Sequence, residues 1–344
     1  MIEEQVLPTN PDQFSWCAER AGLHTHDENN NDPAQKMDRA LEEKIQHALW
    51  QNDVLRATDL NEIDIRVKNG MVHLRGHLLS SINYQRVEKA LQTVAGIQGV
   101  RNNFVMDDDL VREVAASFVQ LEQTYHCKFF TGVSHGVVVL NGEVNSTNVR
   151  MSAELCAASN PRVRGVINYI RVPGVALALE DHRLLQPPIG KEVCFLDGVS
   201  GIVKQVVINP DNRRVVAMTM QGRFFNVWQN LSTPPAGTTN NHGPSQSAEQ
   251  VLVIPMSVMG YLTNSSGFLT IASTEYAKVQ MFDASLFSSP PPDWVPPYPY
   301  CPGDVLFAKE NPIAENAPDQ VSTMLNVSEK LFTAQLLAND SLGG

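Results

Sequence analysis

The sequence predicts an α+β protein built from two tandem αββαβ modules, followed by a small antiparallel β-barrel. Three observations support this prediction: an internal repeat in the first half, apolar periodicity that alternates between helical and strand spacing within each copy, and strand-rich segments bounded by glycine and proline turns in the second half. At 344 residues, the chain is long enough for two or three domains of ordinary size.

The internal repeat has an offset of 66 residues. The first copy is VKNGMVHLRGHLLSS from Val67, and the second is VSHGVVVLNGEVNST from Val133. The register holds further along the chain, where Gly99-Val100 matches Gly165-Val166. We interpret the glycines that share this register as structural turn residues: Gly70, Gly76, Gly99, Gly136, Gly142 and Gly165.

Each copy is predicted to open with an amphipathic helix and to continue as strand, strand, helix, strand. The apolar positions of the opening helices lie four residues apart, at Leu41, Ile45 and Leu49 and at Leu110, Val114 and Phe118. Asn69-Gly70 joins the first two strands of copy one and favours a hairpin turn, because both residues tolerate a positive φ.

The repeated pattern V-x-x-G-x-V-x-L-x-G-x-V/L-x-S, followed by a helix and G-V-x-x-[VI]-x-N, resembles the BON domain of bacteria. The resemblance covers residues 37–106 and 107–173, after an acidic segment at 1–36 that we expect to be poorly structured. It implies an αββαβ sandwich. It also implies a binding role: phospholipid surfaces in envelope proteins, potassium in a cytoplasmic member, or ring-building in related modules of secretion systems.

Residues 187–283 are rich in short apolar strands separated by turns. The pattern I/L-G-x-x-V, D-G-x-x-G-x-V-x-x-V-V-I-x-P and VVA resembles a PRC-barrel, a small β-barrel that mediates protein contacts and has no shared active site. A polar stretch at 230–250 is expected to be a loop inserted into this barrel.

Residues 284–344 are predicted to form a proline-rich strap and a C-terminal helix at 317–339. The strap, SPPPDWVPPYPYCP, favours polyproline II and places Trp294, Tyr298 and Tyr300 as candidate interaction residues. These aromatic side chains are expected either to pack on the chain's own barrel or to dock on another subunit.

The net charge of −11 is concentrated at the two ends of the chain. Residues 1–36 and residues 286–344 each carry seven acidic and two basic residues, so the part between them is nearly neutral. Nucleic acid is therefore excluded as the main partner, because phosphate binding requires a basic surface. Docking on anionic lipid receives little support.

The sequence contains no apolar run long enough for a transmembrane helix, and its acidic N-terminus does not resemble a signal peptide. Five scattered cysteines without a CxxC pair favour free thiols in a reducing compartment. We therefore expect a cytoplasmic protein.

Three groups of residues have the composition of a possible chemical site. His24, His26, Asp27 and Glu28 could bind a metal, but they lie in an asparagine-rich stretch that offers no packed element to orient ligands. His126 and Cys127 are adjacent, which directs their side chains to opposite sides of a strand and disfavours a Cys–His pair.

His73, Arg75 and His77 share one face of a predicted strand, which is expected to be either solvated or pressed against another domain. Arg162 and Arg164 are interpreted as the solvated start of a strand.

We expect no catalytic residues, no cofactor and no metal. The function predicted first is a non-enzymatic binding or assembly protein that forms a homo-oligomer or binds another protein. Alternatives are a module that binds a phospholipid surface or potassium, and an enzyme whose site is assembled from distant loops.

Overall fold

The computed structural model describes residues 33–175, 184–224, 249–263, 266–275 and 279–309. Within these ranges the chain is a mixed α+β protein with two three-stranded sheets and one nine-stranded sheet. No helix in the described ranges is long and apolar enough to cross a membrane. Three regions discussed above lie outside the described residues: the stretch with His24, His26, Asp27 and Glu28, most of the 230–250 loop and the helix predicted at 317–339.

The first repeat packs its helices on one face of a three-stranded sheet. Its elements are α1 (Pro33–Trp50), α2 (Asp53–Thr58), β1 (Ile63–Lys68), β2 (Met71–Leu78), α3 (Ser81–Leu91) and β3 (Gly99–Met106). Strand β2 pairs antiparallel with β1 and parallel with β3. The helical face predicted from four-residue spacing is buried in the core, at Leu41, Ile45 and Leu49.

The second repeat has the same order and the same sheet topology. Its elements are α4 (Asp107–Ser117), α5 (Val119–Tyr125), β4 (Lys128–Ser134), β5 (Val137–Glu143), α6 (Thr147–Ala158) and β6 (Gly165–Asn168). The short helices α2 and α5 were not predicted. Each of them follows the opening helix of its copy. The two copies therefore also share this short helix, although the comparison of their sequences did not reveal it.

Two contacts fix the hairpin geometry in both copies. The Asp38 carboxylate accepts hydrogen bonds from the amides of Asn69 and Gly70, and the Asp107 carboxylate does the same for His135 and Gly136. An acidic side chain in the first turns of the opening helix therefore holds each β-hairpin turn. Asp107 suits this position because a helix N-terminus favours negative charge.

The repeat glycines have two different structural roles. Gly70 and Gly136 lie in the hairpin turns with φ of +74° and +76°. Gly76 and Gly142 lie within strands rather than in turns, with φ of +138° and +147°. Gly99 and Gly165 also lie in strands, as the first residues of β3 and β6.

The remaining strands form the nine-stranded sheet. They are β7 (Glu192–Cys194), β8 (Ser200–Asn209), β9 (Arg214–Gly222), β10 (Gln250–Pro255), β11 (Met259–Leu262), β12 (Ser266–Leu269), β13 (Gln280–Met281), β14 (Phe287–Ser288) and β15 (Val305–Ala308). The main path is β11-β12-β7-β8-β9-β10-β13, and β15 pairs with both β8 and β14. Gln250 begins β10, so it belongs to the sheet and not to the predicted loop.

The prediction of a small antiparallel barrel is wrong in two respects. Strand β12 pairs parallel with β7, and β15 pairs parallel with β8. In the part of the chain that the structure describes, β11 and β13 end the main path without pairing to each other, so hydrogen bonding does not close the sheet. Its strands still share one core, which includes Val203, Met218, Ile254, Leu269 and Tyr300.

The expectation that all cysteines are free thiols is wrong for Cys301, which is disulfide-bonded. Cys127, Cys156 and Cys194 are free. A disulfide is unusual in a reducing compartment, so it removes the support that the cysteines gave to a cytoplasmic location. That location stays a prediction.

Candidate interaction surfaces and the junction between the repeats

The strap passes over the first repeat and brings Tyr298 into a cluster of basic side chains. The guanidinium groups of Arg75 and Arg164 each lie 5.1 Å from the centre of the Tyr298 ring, and the His77 ring lies 5.5 Å from it. Arg75 and His77 come from β2, and Arg164 comes from the segment before β6. Both repeats and the strap therefore meet at one tyrosine, where cation–π attraction favours the two arginines.

The Arg164 side chain forms hydrogen bonds to several segments that lie far apart in the sequence, which no sequence motif indicated. Its Nη1 donates to Glu62 Oε2 at 2.5 Å and to the carbonyl of His135 at 3.1 Å. Its Nε donates to Gln186 Oε1 at 3.1 Å, and the Gln186 amide donates to the Tyr298 carbonyl at 2.8 Å. The interpretation of Arg164 as solvated is wrong, because these groups leave it only 8% exposed.

The hairpin turn of the second repeat inserts against the first repeat. His135 occupies the position equivalent to Asn69 and has a φ of +47°. Its Nε2 lies 2.9 Å from Asp59 Oδ1, and Asp59 is fully buried. The Leu79 amide and the Asn83 side chain also donate to this carboxylate. A histidine in place of the asparagine of the first copy thus provides one of the contacts between the repeats.

The partners of this ion pair stabilise its charged form. The hydrogen bond to Asp59 raises the pKa of His135 above its ordinary value, and burial opposes this only in part. Burial also opposes ionisation of Asp59, but the hydrogen bonds from His135, Leu79 and Asn83 outweigh it and lower the pKa of the carboxyl group. Both shifts therefore favour the charged form of the pair.

His77 is in the opposite electrostatic state. Burial and the nearby charges of Arg164, His135 and Arg75 lower its pKa to about 3, although a hydrogen bond to the Arg162 carbonyl opposes the shift. Its Nε2 donates to that carbonyl at 3.0 Å. On the strand face formed by His73, Arg75 and His77, the side chains of Arg75 and His77 are therefore buried against other parts of the chain. This is one of the two predicted alternatives for that face.

His77 and His135 are expected to make the free energy of unfolding depend on pH in opposite directions, because one pKa is lowered and the other is raised. Below pH 6.5 the unfolded chain binds a proton at His77 that the folded chain accepts only near pH 3, so the free energy of unfolding should fall as the pH decreases over this window. The contribution of His135 is fully present below pH 6.5 and is lost as the pH rises through its raised folded-state value. Asp59 contributes above pH 3.8 and loses this contribution as the pH falls through its lowered value.

Urea unfolding of the full chain across this pH range measures both limbs. His77→Gln should flatten the acidic limb, since glutamine can keep the bond to Arg162 without titrating. His135→Gln should flatten the limb above pH 6.5. If His77→Gln and the parent chain lose stability equally on acidification, the assignment of the acidic limb to His77 is incorrect.

A second polar contact joins the second repeat to the nine-stranded sheet. The carbonyl of Asn212, in the β8–β9 turn, accepts from the Val166 amide at the edge of β6 at 2.8 Å. Arg213 donates to the carbonyls of Val163, Pro161 and Val295, and its guanidinium lies 5.0 Å from the centre of the Trp294 ring.

The candidate interaction residues of the strap therefore contact their own chain. Trp294 packs on Arg213 and Phe307, and Tyr298 packs between Arg75 and Arg164. Tyr300 is fully buried, and its hydroxyl donates to the Pro187 carbonyl at 3.1 Å. Trp294 and Tyr300 pack on the chain's own strand-rich domain, as one of the two predicted alternatives has it. Tyr298 packs instead on side chains of the two repeats, which neither alternative predicted.

Two other surfaces are available for contacts with a partner. An open groove of about 950 Å³ lies between α1 and α3 of the first repeat. Small side chains, Ala40, Ala48 and Ala90, line it together with Lys44, His47, Arg86 and Lys89. In the second repeat, Met151 and Leu155 form a ridge on α6 and are 55% and 47% exposed.

The described residues do not form a recognisable reactive centre. No group of three or more histidine, cysteine or acidic side chains in the described ranges could hold a metal ion. His126 ends α5 in the left-handed conformation, next to Cys127. Burial and the charge of Glu122 raise the pKa of the Cys127 thiol, which disfavours the thiolate that a nucleophile requires.

Comparison with known proteins gives one family match. Residues 37–108 and 132–174 match the BON domain, in agreement with a tandem arrangement. No curated protein matches this sequence.

Two solved structures of CdsD, a structural protein of the type III secretion system of Chlamydia trachomatis, are weakly similar. The C-terminal domain is 15% identical with a TM-score of 0.30, over 37% of this chain and 63% of that chain. The chain thus spans less than two thirds of that domain. The other is 12% identical with a TM-score of 0.16, over 38% of this chain and 91% of that chain. Similarity at this level establishes no shared overall fold.

Proposed function

We propose that this chain is a non-enzymatic assembly protein whose copies associate head to tail through their two BON-like repeats. The two BON matches support a binding role, because this family consists of non-catalytic binding domains. The observation that carries the proposal is the difference between the repeats: the first has a groove between its helices, and the second has an apolar ridge on the equivalent side.

The ridge and the groove are chemically complementary. Met151 and Leu155 lie one helical turn apart on α6 and present flexible apolar side chains. The alanines of the groove leave room for such side chains, and the aliphatic stems of Lys44 and Lys89 extend its apolar wall. Seating the ridge of one copy in the groove of the next would remove both surfaces from water.

The geometry of the junction makes this contact directional. Arg164, His135 and Tyr298 hold the two repeats in one orientation, so groove and ridge occupy fixed places on each copy. A contact between two different surfaces is heterologous, and its repetition gives a closed ring or an open filament. We therefore propose a regular particle and not a two-fold dimer.

Light scattering behind a sizing column, with electron microscopy of the same peak, tests the assembly of the full chain. We expect a large regular particle from the parent protein, and monomers from Leu155→Glu and from Ala48→Arg, which fills the groove. Leu196→Glu is the matched control, because Leu196 is 70% exposed in the nine-stranded sheet domain and should leave assembly intact.

Mixing the two defective variants separates a heterologous contact from a symmetric one. Leu155→Glu keeps its groove and Ala48→Arg keeps its ridge, so an equimolar mixture should form a one-to-one dimer and no larger species. A parent chain that stays monomeric at every concentration would rule out assembly. A Leu155→Glu chain that still forms the full particle would rule out the ridge.

A second candidate function is binding to a phospholipid surface, which the basic lining of the groove favours. The groove is lined by four basic residues, Lys44, His47, Arg86 and Lys89. Glu43 is the one acidic residue among its lining residues. Flotation with liposomes tests this candidate, and binding that depends on anionic lipid and is lost in Lys44→Glu/Lys89→Glu would support it. Equal recovery with neutral and anionic liposomes would count against it.

A further inference from the structure

The outer edge of β6, which faces away from β5, binds a turn of the nine-stranded sheet. The Val166 amide donates to the carbonyl of Asn212 at 2.8 Å. The next residue of this β8–β9 turn, Arg213, donates to the carbonyls of Val163 at 2.6 Å and Pro161 at 3.2 Å. One backbone carbonyl and one guanidinium group therefore hold the turn on this edge of the second repeat.

The first repeat has an equivalent edge, on the side of β3 that faces away from β2. The repeat offset of 66 residues relates Val100 to Val166 and Ile97 to Val163. Residues 95–100 and 161–166 have the same local structure, a turn followed by the first two residues of the strand. The edge that binds the β8–β9 turn in the second repeat is therefore repeated in the first.

The same backbone hydrogen bond anchors both segments. The Gln98 amide donates to the Gly70 carbonyl at 2.9 Å, and the Arg164 amide donates to the Gly136 carbonyl at 2.8 Å. Each bond joins the segment to the hairpin turn of its own repeat. The two edges are therefore built on equivalent backbone, although glutamine and arginine differ as side chains.

The Val100 amide points away from β2. Successive residues of a strand direct their amides to opposite sides, so Val100 and Phe104 direct theirs to the same side. The Phe104 amide donates to the Asn102 side chain at 2.9 Å and not to β2. Val100 therefore presents its amide at the outer edge of β3, as Val166 does at the outer edge of β6.

The equivalent edge is exposed in the first repeat. Val100 is 44% exposed, whereas Val166 is 1% exposed. Ile97 is partly buried, whereas Val163 is fully buried. Within the described ranges, the Val100 amide and the carbonyls of Ala95 and Ile97 take part in no hydrogen bond. The donor and the two acceptors that bind the turn in the second repeat are thus present and unused in the first.

A glycine in each repeat leaves room for a turn. A Cβ added at Gly165 would lie within 4 Å of atoms of Arg213 and Arg214, so the β8–β9 turn packs directly on this glycine. At the equivalent Gly99, the Met71 side chain alone lies within 4 Å among the residues that the structure describes. The first repeat therefore has the glycine without the turn.

We propose that the outer edge of β3 binds an arginine-bearing β-hairpin turn of another protein. The backbone carbonyl beside the arginine accepts from the Val100 amide. The guanidinium group donates to the carbonyls of Ala95 and Ile97, which suits its planar arrangement of five N–H donors. The occupant is not the β8–β9 turn of a second copy, because Arg213 is 2% exposed and already bound within each copy.

A cyclic peptide of eight residues is the probe for this contact. It contains the turn sequence of residues 209–214, NPDNRR, between two cysteines joined by a disulfide. The cysteines replace Ile208 and Val215, which are paired across β8 and β9. The receptor is the isotope-labelled full chain with Leu155→Glu, so that binding is measured independently of the assembly proposed above.

Titration followed by nuclear magnetic resonance is expected to give saturable shifts of the Ile97 and Val100 amide signals. The peptide with Arg213→Ala should bind about tenfold more weakly, because the charged donor to two carbonyls is lost. Asp211→Ala is the matched control, because Asp211 is exposed in the turn, and it should bind as the parent peptide does. An absence of shifts at Ile97 and Val100, or equal binding of the Arg213→Ala peptide, would overturn the proposal.

Val100→Pro in the receptor tests the same contact from the other side. Proline removes the amide that points outward and leaves the pairing of β3 with β2 intact. We expect the probe to bind this variant about tenfold more weakly, while the amide signals of the second repeat keep their positions. Unchanged affinity, or shifts at Val163 and Val166 in place of Ile97, would show that the probe binds elsewhere. The peptide substitutions test the contact without any change at the edge itself.

Discussion

Replacing Arg213 with methionine is expected to lower the free energy of unfolding by about 3–5 kcal/mol, because three backbone carbonyls lose a charged donor that is itself buried. Arg213 is only 2% exposed and donates to Val163 at 2.6 Å, to Val295 at 2.7 Å and to Pro161 at 3.2 Å. Methionine fills much of the same space, so the loss reports mainly on the missing hydrogen bonds and on the contact with Trp294.

The backbone at Arg213 supports the same expectation. Its φ is +60°, a left-handed conformation that costs a residue with a side chain about 1–2 kcal/mol. Burial lowers the pKa of Arg213 to about 10, yet it is still protonated near neutral pH. A buried cation in a strained backbone is retained only where its contacts outweigh both costs.

Urea denaturation of the full chain measures this loss, with Arg223→Met as the control. Arg223 is exposed near the end of β9, so its replacement should change stability by less than about 0.5 kcal/mol. Arg213→Lys should lie between the parent and the methionine variant, because one ammonium group cannot reproduce the planar guanidinium fork. Equal midpoints for Arg213→Met and Arg223→Met would contradict the structural role of Arg213.

Gly76→Ala is expected to destabilise the chain by about 3 kcal/mol or more, because the new Cβ would lie 1.9 Å from the Glu62 carbonyl oxygen. The φ of +138° adds strain that a side chain does not tolerate. Relief of the clash requires a shift of the backbone of Glu62, whose carboxylate accepts from Arg164. The substitution should therefore also weaken the junction between the repeats.

The second repeat supplies matched controls for this substitution. In Gly142→Ala the Cβ would lie 2.6 Å from the Lys128 carbonyl oxygen, so a smaller but clear loss is expected. In Gly132→Ala the added Cβ meets nothing within 4 Å, and little change is expected. Thermal unfolding of the three variants should rank them in this order. A Gly76→Ala chain as stable as Gly132→Ala would show that the close approach at Gly76 does not exist in solution.

Local patterns predicted the repeats well because their signals lie within short stretches of chain. The four-residue apolar spacing of Leu41, Ile45 and Leu49 reflects the helical period, and those side chains are buried. Asn69-Gly70 forms a turn with positive φ at both residues, as its composition indicated. Ser80 and Ser146, which match across the repeat, accept from backbone amides at the starts of α3 and α6.

The nine-stranded sheet was predicted less well, because strand pairing depends on segments that lie far apart in sequence. Strand β15 pairs with β8 across about a hundred residues, and no local pattern encodes that partner or its parallel direction. Short apolar strands separated by turns are equally compatible with a closed barrel and with an open curved sheet. The resemblance to a PRC-barrel therefore described the local strands and not their closure.

The sequence by itself determined the duplication, the helical and strand faces and the turn positions, since each depends on neighbours within a few residues. Only the tertiary structure decided which polar residues are buried and which distant residues they contact. Arg164 contacts Glu62 from 102 positions away, and Gln186 contacts Tyr298 from 112 positions away. A charged side chain in a repeat has the same local signature whether it is solvated or buried, and only the packing of distant segments distinguishes the two.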